Sequence, residues 1–176
     1  MSSVNDTLDT PSGMEARPEG FLRVTEALRR LGHPHAPMFL EVPARTAQEA
    51  AEALGVAVGQ IAKSVIFRRK SDDRAVLVVT SGDRRVDEKK VTALVGPVGR
   101  ADADFVKART GFTIGGVSPV AHLTEPVTLI DRELFRFDEV WAAAGHPKGV
   151  FRVAPQDLAA LTGAPVEDVT PATEPA

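Results

Sequence analysis

The sequence predicts one mixed-sheet domain of the α/β or α+β class, and three observations carry that prediction. The chain has 176 residues, 43% hydrophobic and 26% charged, which suits a single core. Segments with apolar residues at helical spacing are interspersed irregularly with segments of period two. No internal repeat is present, and the order of elements departs from regular βαβ winding.

Residues 1–18 are polar, contain Pro11 and Pro18 and show neither period, which predicts a disordered leader; residues 170–176 read as a flexible tail. Phe21, Val24, Leu28 and Leu31 recur at helical spacing, with Gly32 as a left-handed cap before the HPHAP loop. After the short apolar MFLEV segment, Thr46-Ala47-Gln48-Glu49 is a capping box that opens an Ala-rich helix ending at Leu54-Gly55. Ile61 to Arg68 then alternates with period two, and Ala75 to Thr80 is β-branched, so the two form a hairpin around the KSDDR turn. Asp87 caps a helix carrying Val91, Leu94 and Val95 that Gly96-Pro97 ends, and Asp102 caps another running toward Thr110-Gly111. Further strands are expected at Phe112 to Ile114, Val127 to Ile130, around Val140, and Phe151 to Val153. A last helix runs from near Pro155 to Gly163.

Composition removes several chemistries. With no cysteine there is no disulfide, thiolate metal site, iron–sulfur cluster or cysteine nucleophile, and the absence of tyrosine removes another catalytic acid. No stretch approaches the roughly 20 apolar residues of a membrane helix, and MSSVNDTLDTPSG lacks the basic and apolar regions of a signal peptide. A cytoplasmic protein with no membrane partner is expected. Net charge is small, but Lys63 to Arg109 holds 12 basic and 7 acidic residues, a local excess of +5. That segment is either a solvated face of mixed sign or a surface that meets phosphates.

Lys63 is the most informative side chain, because in extended geometry Ile61, Lys63, Val65 and Phe67 share a face. A lysine among apolar residues either lays its stem along them with the ammonium at the edge, or is held in a pocket as a positioned cation. The second informative segment runs from Thr110 to Pro119. Its glycine pair, Gly115-Gly116, either serves as a bend or brings backbone N–H groups close to a ligand, where they can stabilise a developing oxyanion.

Ser118 is a poor hydrolase nucleophile, since Pro119 has no N–H to complete an oxyanion hole; it binds substrate or caps the turn. The segment matches neither a P-loop nor a dinucleotide fingerprint, so no nucleotide cofactor is expected. His33 and His35 lie in a proline-bounded loop and His122 and His146 are isolated, so no metal is expected either. Asp131, at a strand end, is a candidate for orienting a cationic group, though a strand-end aspartate is also ordinary.

Three runs in this order, GQIAKSVIF from Gly59 to Phe67, VDEKKV from Val86 to Val91, and TGFTIGGVSP from Thr110 to Pro119, resemble the YbaK/EbsC family, freestanding relatives of the prolyl-tRNA synthetase editing domain. The resemblance spans roughly Phe21 to Val169, so the editing domain is expected over 19–169. It implies a mixed, strongly curved, barrel-like sheet flanked by helices, and hydrolysis in trans of amino acids wrongly attached to tRNA. The family's essential lysine falls on Lys63 and its glycine pair on Gly115 and Gly116. Mischarged tRNA is then the partner, with prolyl-tRNA synthetase a candidate second one and DNA none. An aminoacyl ester is already activated, so positioning and carbonyl polarisation can suffice without a protein nucleophile.

On that basis Ser64 and Ser118 orient ester or water, Asp131 or a backbone carbonyl receives the α-ammonium, and Phe67, Phe112 and Ile114 form walls that sieve by size. Gly145 belongs to the same site, in Ala143-Ala144-Gly145-His146, where cysteine-editing members tend to read Ser-Gly-Gly. The lost serine leaves alanine, cysteine, serine, threonine or a nonprotein analogue open, with tRNA for proline the natural carrier. The rival expectations are a noncatalytic module that binds aminoacyl-tRNA or a nucleotide, and a small-ester hydrolase indifferent to RNA.

Overall fold

The computed structural model describes residues 17–172, so the leader expected over 1–18 lies outside them apart from Arg17 and Pro18. Five α-helices and eight strands are present among the described residues. In chain order they are α1 (Glu19–Arg30), β1 (Met38–Phe39), α2 (Ala47–Leu54), β2 (Ile61–Arg69), β3 (Ala75–Ser81), α3 (Glu88–Val95), β4 (Val98–Arg100), α4 (Ala103–Thr110), β5 (Val127–Asp131), β6 (Val140–Ala143), β7 (Gly149–Val153), α5 (Pro155–Thr162) and β8 (Val166–Glu167).

The helix ends follow the capping chemistry of the sequence. Thr46 closes a full capping box with Glu49, and Asp87 and Asp102 accept from Lys89 N–H and Phe105 N–H. Gly55, Gly111 and Gly163 end their helices in the left-handed conformation. The expected strand at Phe112 to Ile114 does not form. Thr110 Oγ1 accepts from Phe112 N–H at 3.0 Å while Gly111 turns left-handed, so the chain leaves α4 in a turn rather than an extended run. No described helix is long and apolar enough to cross a membrane.

The sheet is mixed, in the order β1-β7-β6-β2-β3-β5-β8, with β4 attached to β2 off this path. Its end strands β1 and β8 do not pair with each other, so the sheet is open rather than a closed barrel. β3 is buried along its whole length. Leu77 and Val79 enter the main core with Val24 and Leu28 of α1, while Val76 and Val78 join Val91 of α3 and Leu129 behind the sheet. Two covered faces explain why AVLVVTS reads as a continuous apolar run. The packed body also reaches past Val169: Thr170 is buried and its carbonyl accepts from Lys90 Nζ at 2.7 Å.

Candidate functional site

The site forms where the sheet forks. On one edge β2 pairs antiparallel with β3 from Ala62 to Arg68. On its other edge it pairs parallel with β6 only at Ile61 and Ala62, and antiparallel with β4 only from Phe67 to Arg69. Residues Lys63 to Ile66 therefore have no ladder partner on that edge among the described residues. A cavity of about 360 Å³ adjoins this gap, a size suited to a small ligand.

Lys63, Ser64, Ile114 and Gly115 all line this cavity, with Ala142 and Ala143 of β6 among its other walls. Lys63 is half-buried there, and burial pushes its ammonium below the ordinary lysine range while the Asp83 carboxylate pulls it back up. Ser64 Oγ is buried without a hydrogen-bond partner, although buried hydroxyls are nearly always paired. Gly115 has φ +95°, which a side chain would strain. A Cβ on Gly116 would stand 2.7 Å from the His146 carbonyl carbon, so the second glycine lets this loop lie directly on the His146 backbone. The Gly116 N–H donates to the Thr113 carbonyl at 3.0 Å. The Gly115 N–H has no acceptor among the described residues.

The remaining expected residues lie elsewhere. Asp131 is fully buried and does not line the cavity; its carboxylate accepts from Thr80 Oγ1 (2.8 Å), Ser81 N–H (3.2 Å) and Glu133 N–H (2.9 Å). Phe67 packs in the core behind the sheet, where β2 has already met β4. Phe112 lies in the main core, under the Arg23 guanidinium at 4.4 Å. Ser118 is buried and caps its own turn, accepting from Val120 N–H at 3.1 Å. Gly145, at φ +86°, packs against Gly20 outside the cavity.

Among the lining residues that the sequence left unassigned, Arg45 and Trp141 carry a charge and a large aromatic ring. The first precedes a capping box and the second is the chain's only tryptophan, and both are signals that could have drawn attention. A larger cavity of about 580 Å³ touches α1 and the segment from Pro119 to Thr128, with Arg30, Arg74, His122 and Glu125 on its walls. It too borders an open strand edge, at Val127 and Thr128 of β5, but it contains no orphaned buried hydroxyl and Glu125 stands on its wall, so the chemistry favours the smaller one.

Comparison with known proteins agrees with this assignment of the fold. Residues 41–161 match the family model described as an aminoacyl-tRNA editing domain. The Bacillus subtilis (strain 168) protein YwhH, itself uncharacterised, is 34% identical over 119 residues, covering 67% of this chain and 75% of YwhH. A proline–tRNA ligase of Thermoanaerobacter sp. (strain X514) is 29% identical over 94 residues, which is 51% of this chain and 16% of the ligase. A solved structure of a protein proposed as a trans-editing enzyme for prolyl tRNA synthetase shares 42% identity at a TM-score of 0.82, over 89% of this chain and 99% of that one.

Proposed function

Because this chain belongs to the aminoacyl-tRNA editing domain family, we propose that it is a deacylase acting in trans on mischarged tRNA, with tRNA for proline carrying a small wrong amino acid as the substrate. The observation that carries this reading is that Lys63, Ser64 and Gly115 line one cavity that has no Asp or Glu in its lining. An ester brought there meets donors and a cation, and no carboxylate repels its developing negative charge.

The reaction needs little more than placement. Water attacks the carbonyl carbon, the carbonyl oxygen takes the charge, and the ribose oxygen leaves with a proton as the amino acid is released. The Gly115 N–H is the donor for that oxyanion; a single such donor is worth about 3 to 4 kcal/mol of barrier in a dry site. The Lys63 ammonium holds the phosphate or ribose of the terminal nucleotide, and Ser64 Oγ finds in the ester or the water the partner it lacks in the protein. Ile114, Val117, Ala142 and Ala143 bound the space left for the amino-acid side chain. One methylene there is worth about 1 to 3 kcal/mol, so selection among small amino acids is graded rather than absolute.

Deacylation time courses with the purified protein and a panel of tRNAs misloaded with alanine, serine, cysteine and threonine test the proposal. Accelerated loss of at least one ester is expected, together with little action on a free amino-acid ester. Protection of every ester would mark a binding module instead, and equal action on free esters would mark a hydrolase that ignores RNA.

A further inference from the structure

We propose that Trp141 and Arg45 form the nucleotide half of the cavity, the indole stacking the terminal base of the RNA and the guanidinium holding a backbone phosphate. This rests on the tRNA reading above and names side chains for the terminal base and a further phosphate, which that reading leaves unassigned beside Lys63. Trp141 lies beside Ile61 in the short parallel ladder between β6 and β2, and Lys63 stands two residues further along. With strands about 4.8 Å apart and about 3.3 Å per residue, the two backbones are roughly 8 Å apart, the scale of one nucleoside. Trp141 packs with Ile61 and the alanines of α2 while remaining half-buried, and it also lines the cavity. An aromatic ring at that distance from Lys63, which holds the ribose or phosphate of the same nucleotide, suits its base in a sequence-tolerant way.

Arg45 supplies the charge. Its side chain packs beside Gly115, where a Cβ would lie 3.4 Å from Arg45 Cγ. Of the two carboxylates four residues away, Glu49 is already engaged by the Arg45 and Thr46 backbone N–H groups at 3.0 and 3.3 Å, and Glu41 forms no ion pair among the described residues. Arg45 and Lys63 are therefore two cations on a cavity without an anion, and neither forms an ion pair among the described residues. Such a pair matches an oligonucleotide end, which brings phosphate and base together, better than it matches an amino acid alone.

Because the chain has one tryptophan and no tyrosine, its intrinsic fluorescence reports on Trp141 alone. The experiment titrates the full chain with an uncharged RNA hairpin ending in single-stranded CCA, following that emission and, in parallel, the anisotropy of the labelled RNA. The expected result is saturable quenching of Trp141. Trp141→Leu weakens RNA binding roughly 5- to 150-fold, with Trp141→Phe recovering most of it. Arg45→Gln lowers the slope of log affinity against log salt by about 0.7, and Arg45→Lys restores it. Thermal melts of the variants exclude misfolding. RNA that binds with Trp141 emission unchanged, and equally well to both variants, overturns this inference alone. A wild-type chain that neither binds the hairpin nor deacylates any charged tRNA overturns the functional reading with it.

Discussion

Gly20 and Gly145 meet backbone to backbone, so that a Cβ on either would run into the other's carbonyl oxygen. The contact seats the start of α1 on the turn between β6 and β7, next to the His146 backbone that carries Gly116. Gly145→Ala is expected to cost about 2 to 4 kcal/mol, combining positive-φ strain with overpacking. Gly32→Ala is the control: φ is +78° but nothing lies within 4 Å of a new Cβ, so only the strain of about 1 kcal/mol should appear. Urea unfolding of the two variants separates the contributions.

Ser64→Ala should dissociate stability from activity. Removing a buried hydroxyl that has no partner leaves unfolding free energy unchanged or raises it by up to about 1 kcal/mol, whereas deacylation falls about tenfold or more. A loss of stability comparable to the loss of activity would mean that the hydroxyl is satisfied within the protein.

Under the proposed function, Lys63 is expected to set an alkaline limit. Burial favours its neutral form, so the proton leaves at a lower pH than from an ordinary lysine, and blank-corrected deacylation should decline before that range is reached. Between the lowered and ordinary values the unfolded chain binds the proton more tightly, so stability rises with pH as the activity falls. Asp83→Asn removes the attraction that supports the ammonium and should move the alkaline limb of the rate profile to lower pH. A limb that stays in place would separate the rate from Lys63.

Asp131 is predicted to act on stability. Asp131→Ala strands Thr80 Oγ1 and the Ser81 N–H in a dry interior and should cost about 3 kcal/mol, measured by chemical unfolding. Deacylation per folded molecule should stay within about twofold. A selective loss of activity with stability intact would return the carboxylate to the substrate.

His122 governs the acid side. Its Nε2–H donates to the Ser118 carbonyl at 2.6 Å, and burial holds its pKa below the ordinary value. His146 is shifted in the same direction by burial and by Lys148 and Arg45. Their contribution is complete above the ordinary histidine pKa of about 6.5 and is lost as pH falls toward the lowered values, because the unfolded chain takes up protons first. Unfolding midpoints for the wild type and His122→Gln, compared at about pH 7.5 and 5.5, should show a smaller acid loss in the variant.

What could be read from the sequence was local chemistry. Thr46 with Glu49, Asp87, Asp102 and the left-handed glycines mark helix ends through bonds that span a few residues, and all of them are found in place. The hairpin of β2 and β3 was equally plain, with Lys63 opposite Thr80. The fork was not legible, because it depends on where two short strands, β4 and β6, some 30 to 80 residues downstream, meet β2. For the same reason the shared face of Ile61, Lys63, Val65 and Phe67 defined the pocket only in part: Ile61 and Lys63 line it, while Val65 and Phe67 belong to the core behind the sheet. Lys63, Ser64, Ile114 and Gly115 were found together, but Arg45 and Trp141 come from elements whose approach only the folded chain reveals.

The parting of β4 from β6 has a consequence for how such a domain diversifies. Lys63 is anchored by the uninterrupted seven-residue ladder to β3, whereas Ala142, Ala143 and Ile114 belong to separate stretches of chain. The enclosure can therefore be recut by exchanging one flank while the anchored cation keeps its position. Under the proposed function, such an arrangement lets a lineage change which acyl group is admitted without rebuilding the strand pair beneath it.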